Sequence, residues 1–141
     1  MSELLERARE RAQRNRFWQY LGIEVEDAGE GWARLRVAVR DDLRNAPGAP
    51  VHGGVHATLV DAGVGAALGT LLAESEGGVN QSTVDLNVTF LAAPRGNVLL
   101  AEGRILKRGR AIAFGETRVM DGQGTLVATG RATYIIVAPR G

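Results

Sequence analysis

The spacing of apolar side chains in the first third of the chain predicts one helix, two strands and a loop. Residues 1–16 repeat leucine and alanine at helical spacing, with arginine and glutamate elsewhere, which predicts an amphipathic N-terminal helix. Short strands are predicted at 22–27 and 32–39, joined by a glycine-rich turn at 28–31. Residues 40–51 contain two prolines and are predicted to form a loop.

The pattern changes at Gly53, where a segment begins that is apolar on nearly every side. It is too long for one strand, so we predict a buried helix over residues 53–73. Glycines at 63, 65 and 69 each cost about 1 kcal/mol of helix propensity relative to alanine. Close approach of another backbone would offset that cost, and a sheet wrapped around the helix would provide it.

The second half of the chain is predicted to be β-rich. In its first strand, apolar and polar side chains alternate, so one face is expected to be buried: Val84, Leu86, Val88 and Phe90. Turn residues at 107–110 and 121–124 connect the later strands. The predicted strands are 83–90, 97–108, 111–120 and 125–137. The order α-β-β-α-β-β-β-β predicts a single α+β domain over residues 1–141, in which four hairpin-linked strands form an antiparallel sheet over the apolar helix.

Composition narrows the classes of function. The chain has 141 residues, a net charge of +1 and no cysteine. A net charge this small gives no general attraction to nucleic acid or to an anionic membrane. The lack of cysteine excludes disulfides and thiolate chemistry. With no apolar run of membrane-spanning length and a charged N-terminal segment, we expect a cytoplasmic protein with neither a nucleic-acid nor a membrane partner.

Asp61 is the sharpest chemical signal, because it is the only carboxylate between Gly53 and Ala73. Burying an ionised carboxylate costs several kcal/mol unless partners compensate. Perturbed carboxylates concentrate at active sites, which favours a catalytic role. The alternative is a structural aspartate bonded to a nearby backbone amide.

The tripeptide His52-Gly53-Gly54 stands where the loop meets the predicted helix. Helix N-termini present unpaired N–H groups that suit an oxyanion, and glycine permits close approach of a substrate. His52 and His56 have i, i+4 spacing, but Asp61 lies about 180° around the helix from His52, so we expect no metal site. His56 is interpreted as an interface or pocket-wall residue.

The spacing of Gly53 and Asp61 bears on oligomeric state. Eight residues separate them, which is about 12 Å along one helix. Both could act on one carbonyl only if they came from different subunits. We therefore predict a homodimer with active sites at its interface.

Basic residues cluster in the turn after the second predicted strand of the β-rich half. Lys107, Arg108 and Arg110 follow closely on Arg104 with no acid among them. The phosphates of coenzyme A would suit such a patch, although a solvated hairpin is an equal alternative. No G-x-S-x-G motif supports a serine hydrolase.

The stretches NAPGAPVHGGVHATLVDAGVGAAL and STVDLNVTFLAAP, followed by the basic hairpin, resemble hotdog-fold acyl-CoA thioesterases. The likeness covers about residues 43–137 and points to the phenylacetate-pathway branch, within the 4-hydroxybenzoyl-CoA thioesterase superfamily. It implies a hotdog fold, no cofactor, and a dimer with shared sites that pairs into a tetramer.

The same resemblance implies a role for each residue of the motif. The Gly53 N–H would polarise the thioester carbonyl, with His52 and Asn45 supporting the carbonyl or the leaving group. Asp61 of the neighbouring subunit would activate water or attack directly, and Thr83 would orient the water. Coenzyme A would contact Gly54 and the basic turn.

Two other functions on the same fold stay open. One is a non-catalytic acyl-CoA sensor, and the other is a hydratase or dehydratase acting on acyl thioesters. The acyl group is not predicted. Phe17, Trp18 and Tyr20 could line an acyl pocket, but we expect them to pack the first helix on the sheet.

Overall fold

The computed structural model describes residues 2–72 and 80–137, with three α-helices and six strands among them. The helices are α1 (Glu3–Arg14), α2 (Arg16–Leu21) and α3 (Gly53–Gly69), and a 3₁₀ turn spans Asp41–Leu43. The strands are β1 (Ile23–Gly29), β2 (Trp32–Ala38), β3 (Asn80–Phe90), β4 (Val98–Arg108), β5 (Ile112–Asp121) and β6 (Leu126–Val137).

One antiparallel sheet of order β1-β2-β4-β5-β6-β3 packs around α3. Leu59, Val60, Val64 and Leu68 of α3 are almost fully buried. This explains why α3 is apolar on nearly every side, since the sheet covers most of the helix and leaves only a partly exposed strip that includes Thr58 and Asp61. The predicted α+β hotdog fold is confirmed.

The predicted chain of four hairpin-linked strands is wrong at its first link. β3 pairs with β6, whereas β4 lies between β2 and β5. The segment after β3 leaves the sheet edge: the N–H groups of Leu91 and Ala92 both donate to the carbonyl of Val127 in β6, at 2.9 and 3.3 Å. Turn composition alone could not distinguish this crossover from a hairpin.

The glycines of α3 occupy positions where the helix meets its neighbours closely. A Cβ on Gly103 of β4 would collide with the carbonyl of Gly63, so the two backbones touch there as predicted. A Cβ on Gly65 would lie 2.7 Å from the hydroxyl of Tyr134. At Gly69, the neighbour is the guanidinium of Arg11.

α3 ends at Gly69, short of the predicted boundary at residue 73, which lies outside the described residues. The last turn closes with N–H groups of Thr70 and Leu71 bonded three residues back, at 3.2 and 2.9 Å. The Thr70 hydroxyl also donates to the carbonyl of Ala67 at 2.7 Å. These bonds satisfy carbonyls that a longer helix would otherwise use.

The N-terminal segment forms two helices where the sequence predicted one. Asn15 ends α1, and its side chain caps α2 by accepting from the Trp18 N–H at 3.0 Å. Trp18 packs against the core, but Phe17 and Tyr20 are 57% and 73% exposed. The expectation that all three aromatics pack on the sheet is therefore wrong for Phe17 and Tyr20, and Phe17 instead lines, with Trp18, the groove that contains Asp61.

The predicted buried face of β3 is also wrong for the single protomer. Val84, Leu86 and Phe90 are 55%, 39% and 57% exposed. β3 is an edge strand that pairs on one side only, with β6. An apolar edge strand of this kind is a ready site for association.

Candidate active site

Two hydroxyl groups hold the side chain of Asp61 in the middle of α3. The Thr83 hydroxyl donates to Asp61 Oδ1 at 2.7 Å, and the Tyr134 hydroxyl donates to the same oxygen at 2.6 Å. The Tyr134 hydroxyl also lies 2.8 Å from the backbone carbonyl of Asp61. Hydrogen bonds to a charged acceptor are stronger than neutral ones, so these contacts fix the carboxylate rotamer and offset its desolvation.

Thr83 reaches Asp61 because β3 is irregular at this point. Simple alternation put Thr83 on the face opposite Leu86 and Val88. In the structure the register shifts between Thr83 and Asp85, and Thr83 pairs directly with Tyr134 of β6. A bulge re-aims side chains in this way, so Thr83 and Asp61 come together as the resemblance implied.

Tyr134 was missed by the sequence reasoning. Its side chain is 6% exposed, and burial followed by the adjacent Asp61 carboxylate raises the pKa of its hydroxyl above the ordinary value. It therefore stays protonated and serves as a donor. The available signal was Gly65, one helical turn after Asp61, which leaves room for a large side chain from the sheet.

Asp61 faces a solvent-open groove of about 470 Å³. Both hydroxyl donors engage Oδ1, and no group in residues 2–72 or 80–137 donates to Oδ2. Trp18, Leu86 and Tyr134 contribute walls of the groove. One oxygen of the carboxylate is thus positioned and the other is left for chemistry.

The N-terminus of α3 has a free amide donor. His52 is the N-cap, and its Nδ1 accepts from the Gly54 N–H at 2.7 Å. The Val55 N–H bonds to the carbonyl of His52 at 2.9 Å. Within the described segments, the Gly53 N–H has no acceptor, and the ring of Phe90 lies beside its Cα, where a Cβ would be 3.2 Å from Cε1.

The structure does not bring every predicted site residue together within one protomer. Gly53 and Asp61 stay eight residues apart on α3, about 12 Å along its axis. The Asn45 side chain donates to the carbonyl of Pro50 at 3.3 Å within its own loop. His56 is buried beside Phe90, with ring centroids 6.1 Å apart.

The basic turn lies two strands away from Tyr134. Lys107 and Arg108 end β4, Arg110 lies in the turn before β5, and all three are exposed. Pairing aligns Tyr134 with Ala113 and Ala113 with Arg108. Since neighbouring strands are about 4.8 Å apart, the backbone of Arg108 is about 10 Å from that of Tyr134.

Neither a metal cluster nor a membrane-spanning helix is found in the part of the chain that the structure describes. No group of three or more His, Asp or Glu side chains there is arranged to hold a metal ion. No helix in the same residues is long and apolar enough to cross a membrane.

An antiparallel sheet wrapped around a long apolar helix defines a hotdog-fold protein. The chain belongs to the thioesterase superfamily, whose family model matches residues 50–128. This membership supports thioester hydrolysis as the activity. The branch of the superfamily and the substrate are separate questions.

Individual relatives agree with this assignment. A protein of Halobacterium salinarum named as a candidate esterase is 37% identical over 123 residues, which is 82% of this chain and 80% of that protein. A solved structure from the thioesterase superfamily has a TM-score of 0.86 at 35% identity, covering 96% of this chain and 99% of the other. A Haemophilus influenzae thioesterase structure, with a TM-score of 0.83 at 23% identity over 98% and 93% of the two chains, supports the fold alone.

Proposed function

We propose that the protein hydrolyses acyl-CoA thioesters to a free acid and coenzyme A, as in the phenylacetate-pathway branch. The observation that carries this proposal is the Asp61 carboxylate, which lines a groove and whose Oδ1 is held by two hydroxyls, so that Oδ2 is left without a donor from the described residues. Hydrolysis of a thioester needs a base or nucleophile and a stabilised oxyanion. Asp61 supplies the first and the N-terminus of α3 supplies the second.

In the reaction, Asp61 Oδ2 takes a proton from water as the water oxygen bonds to the thioester carbon. The tetrahedral intermediate then expels the thiolate of coenzyme A by breaking the C–S bond, and the thiolate receives the proton. Direct attack by Oδ2 would instead form a mixed anhydride that water cleaves. Thr83 and Tyr134 keep Oδ2 directed into the groove in both routes.

The oxyanion is assigned to the first turn of α3. The Gly53 N–H is an unused donor at the positive end of the helix dipole. Because His52 Nδ1 accepts a hydrogen bond, the neutral ring carries its proton on Nε2, which becomes a second donor to the carbonyl. Asn45 serves the leaving-group side from the adjacent loop.

One carbonyl can meet both groups in a homodimer. Within one protomer, Gly53 and Asp61 lie about 12 Å apart along α3. The exposed apolar side of β3, which includes Leu86 and Phe90, supplies a surface for a second copy. A twofold axis beside α3 would bring Asp61 of each protomer toward Gly53 of the other and create two equal sites.

The dimer is further proposed to pair into a tetramer and to bind coenzyme A with the basic turn. Exposed apolar side chains on β4 and β5, namely Leu106, Ile112 and Phe114 at 50%, 43% and 45% exposure, support the second association. Lys107, Arg108 and Arg110 would meet the coenzyme phosphates, with Gly54 lying against the coenzyme near the thioester.

A pair of substitutions at Gly53 tests the oxyanion assignment. Gly53→Pro deletes the N–H, and proline fits the first position of a helix after an extended residue such as His52. Gly53→Ala keeps the N–H and places the same Cβ against Phe90. We expect the proline variant to lose about 10²–10³ in kcat and the alanine variant to stay near wild type. Equal losses would indicate that crowding against Phe90, and not the missing donor, is responsible.

Mixing variants tests the shared site. Asp61→Asn and Gly53→Pro proteins should each be folded and nearly inactive, as measured by melting temperature and by release of coenzyme A thiol. Mixed after unfolding and refolding together, they should recover about one quarter of wild-type activity, since half the dimers are mixed and carry one intact site of two. No recovery, in mixed dimers verified by a tag pull-down, would contradict the model, as would an active monomer.

The same thiol assay separates the alternative functions. A non-catalytic acyl-CoA sensor would bind the substrate without releasing thiol. A hydratase or dehydratase would change the acyl chain and leave the thioester intact. Only thiol release that depends on Asp61 agrees with hydrolysis.

A further inference from the structure

A second cavity, of about 230 Å³, lies between α1, α2 and the C-terminal half of α3. It shares Asn15, Trp18 and Gln81 with the groove that contains Asp61, so the two spaces are neighbours. An apolar cavity of about 150 Å³ can already admit benzene. The second cavity is therefore large enough for the distal part of an acyl group whose thioester lies at Asp61.

Two glycines of α3 lie in the wall of this cavity. Gly65 and Gly69 follow Asp61 by one and two helical turns and both line the cavity. Gly69 lies about 12 Å beyond Asp61 along α3. The groove and the cavity thus lie one after the other along the same side of α3, and Gln81, which donates to the carbonyl of Gly65 at 2.8 Å, lines both.

The lining of the cavity is apolar in one part and cationic in another. Leu4, Ala8 and Trp18 line the cavity together with the guanidinium groups of Arg7 and Arg11. Arg7 donates to the carbonyl of Leu72 at 3.2 Å, and Arg11 donates to the carbonyl of Gly69. Each guanidinium has five N–H donors, so capping the end of α3 leaves most of them unused.

The two arginines have no acidic partner in the described residues. None of the ion pairs there involves Arg7 or Arg11, and no Asp or Glu lines the cavity. Burial, followed by the charges of Arg7 and Arg14, lowers the pKa of Arg11. Positive charge is therefore concentrated at one end of an otherwise largely apolar space, and an anion there would relieve it.

We propose that this cavity selects acyl groups that end in a carboxylate, so that the preferred substrates are ω-carboxyacyl-CoA thioesters. The inference rests on the proposed thioesterase function and names its substrate class. The methylene chain would lie along Leu4, Ala8 and Trp18, and the distal carboxylate would accept from Arg7 and Arg11. A hydrocarbon tail of the same length would reach the guanidinium groups without accepting their hydrogen bonds.

Pairs of substrates matched in chain length test the proposal. We expect kcat/KM to be at least about tenfold higher for suberoyl-CoA than for octanoyl-CoA, or for sebacoyl-CoA than for decanoyl-CoA, because hydrogen bonds between charged groups are strong. Arg11→Met should remove the preference. Arg14→Met is the matched control, since Arg14 is exposed on the same helix and does not line the cavity. A ratio of two substrates on one preparation is independent of the fraction of folded enzyme.

Several outcomes distinguish a failure of this proposal from a failure of the proposed thioesterase function. Hydrolysis of octanoyl-CoA and decanoyl-CoA with no preference for the carboxylate-ended partners would overturn the proposal and leave the thioesterase function standing. A preference that survives in both Arg11→Met and Arg7→Met would also overturn it. No thiol release from any acyl-CoA would refute both. Calorimetry with free suberate and octanoate tests the cavity without turnover, and suberate should bind the wild type but not Arg11→Met.

Discussion

Replacing Tyr134 by phenylalanine would test whether the hydrogen bonds to Asp61 matter for catalysis. The substitution keeps the ring that packs against Gly65 and removes only the hydroxyl. That hydroxyl lies 2.6 Å from Asp61 Oδ1 and 2.8 Å from the Asp61 carbonyl. Oδ1 would then be held by Thr83 alone, at 2.7 Å.

The expected loss of activity in Tyr134→Phe follows from the charge of the Asp61 carboxylate that accepts the hydrogen bond. A hydrogen bond to a charged group contributes about 1.5–3 kcal/mol. If that energy fixes Asp61 in its reactive rotamer, kcat should fall by about 10- to 100-fold. KM should change little, because Tyr134 contacts the carboxylate and not the coenzyme. The melting temperature should fall by roughly 3–12 °C for a loss of that size.

The assay is thiol release from an acyl-CoA, with melting followed on the same samples. Tyr20→Phe is a matched control, since Tyr20 is 73% exposed and should change neither kcat nor melting temperature. Thr83→Val removes the other donor to Oδ1 while keeping the shape of the side chain. The losses of kcat in Tyr134→Phe and Thr83→Val should not add in the double variant, because both donors share one acceptor atom. A Tyr134→Phe enzyme with lowered melting temperature and wild-type kcat would show that the bond is structural only.

Two further predictions concern the basic turn and a buried histidine. Neutral replacements of Lys107, Arg108 and Arg110 should raise KM for an acyl-CoA by about tenfold with little change in kcat. KM for a truncated pantetheine thioester, which lacks the nucleotide phosphates, should not rise. An equal rise in KM for both substrates would contradict phosphate binding. Burial lowers the pKa of His56 below its ordinary value of 6.5. The folded protein therefore favours the neutral ring, and this contribution to stability is present above pH 6.5 and is lost as pH falls through the lower pKa of the folded state. His56→Phe should therefore lose less melting temperature than the wild type between pH 7.5 and 5.5, and identical losses would refute this role for His56.

The sequence predicted the central helix well because its composition is unusual. A segment that is apolar on every side, interrupted by glycines, has few stable solutions other than a helix inside a curved sheet. The predicted close approach of another backbone is found at Gly63, which touches Gly103, whereas Gly65 and Gly69 leave room for the side chains of Tyr134 and Arg11. The order of the strands was a harder problem, since nothing in the segment after Phe90 indicates that β4 is separated from β3 by β5 and β6 in the sheet.

The candidate site was only partly predictable for a related reason. Asp61 stands out by contrast with its neighbours, and its position along α3 follows from sequence spacing. The positions of its hydrogen-bond partners do not follow from sequence spacing. The bulge near Thr83 reverses the alternation of β3, and Tyr134 is 73 residues away from Asp61 in the chain. Only the tertiary pairing of β3 with β6 brings the two hydroxyls to the same oxygen.

In the proposed enzyme, the placement of the candidate site at the edge of the sheet would link catalysis to association. Thr83 holds Asp61 from β3, and the same strand exposes Val84 and Leu86 at the open edge. A buried central strand could hold a carboxylate equally well, but it would leave no route for the N-terminus of a second α3 to approach. An edge strand can hold the carboxylate on one side and receive another protomer along its length. The exposed side chains of β3, which look like a defect in a single protomer, are therefore what the proposed shared site requires.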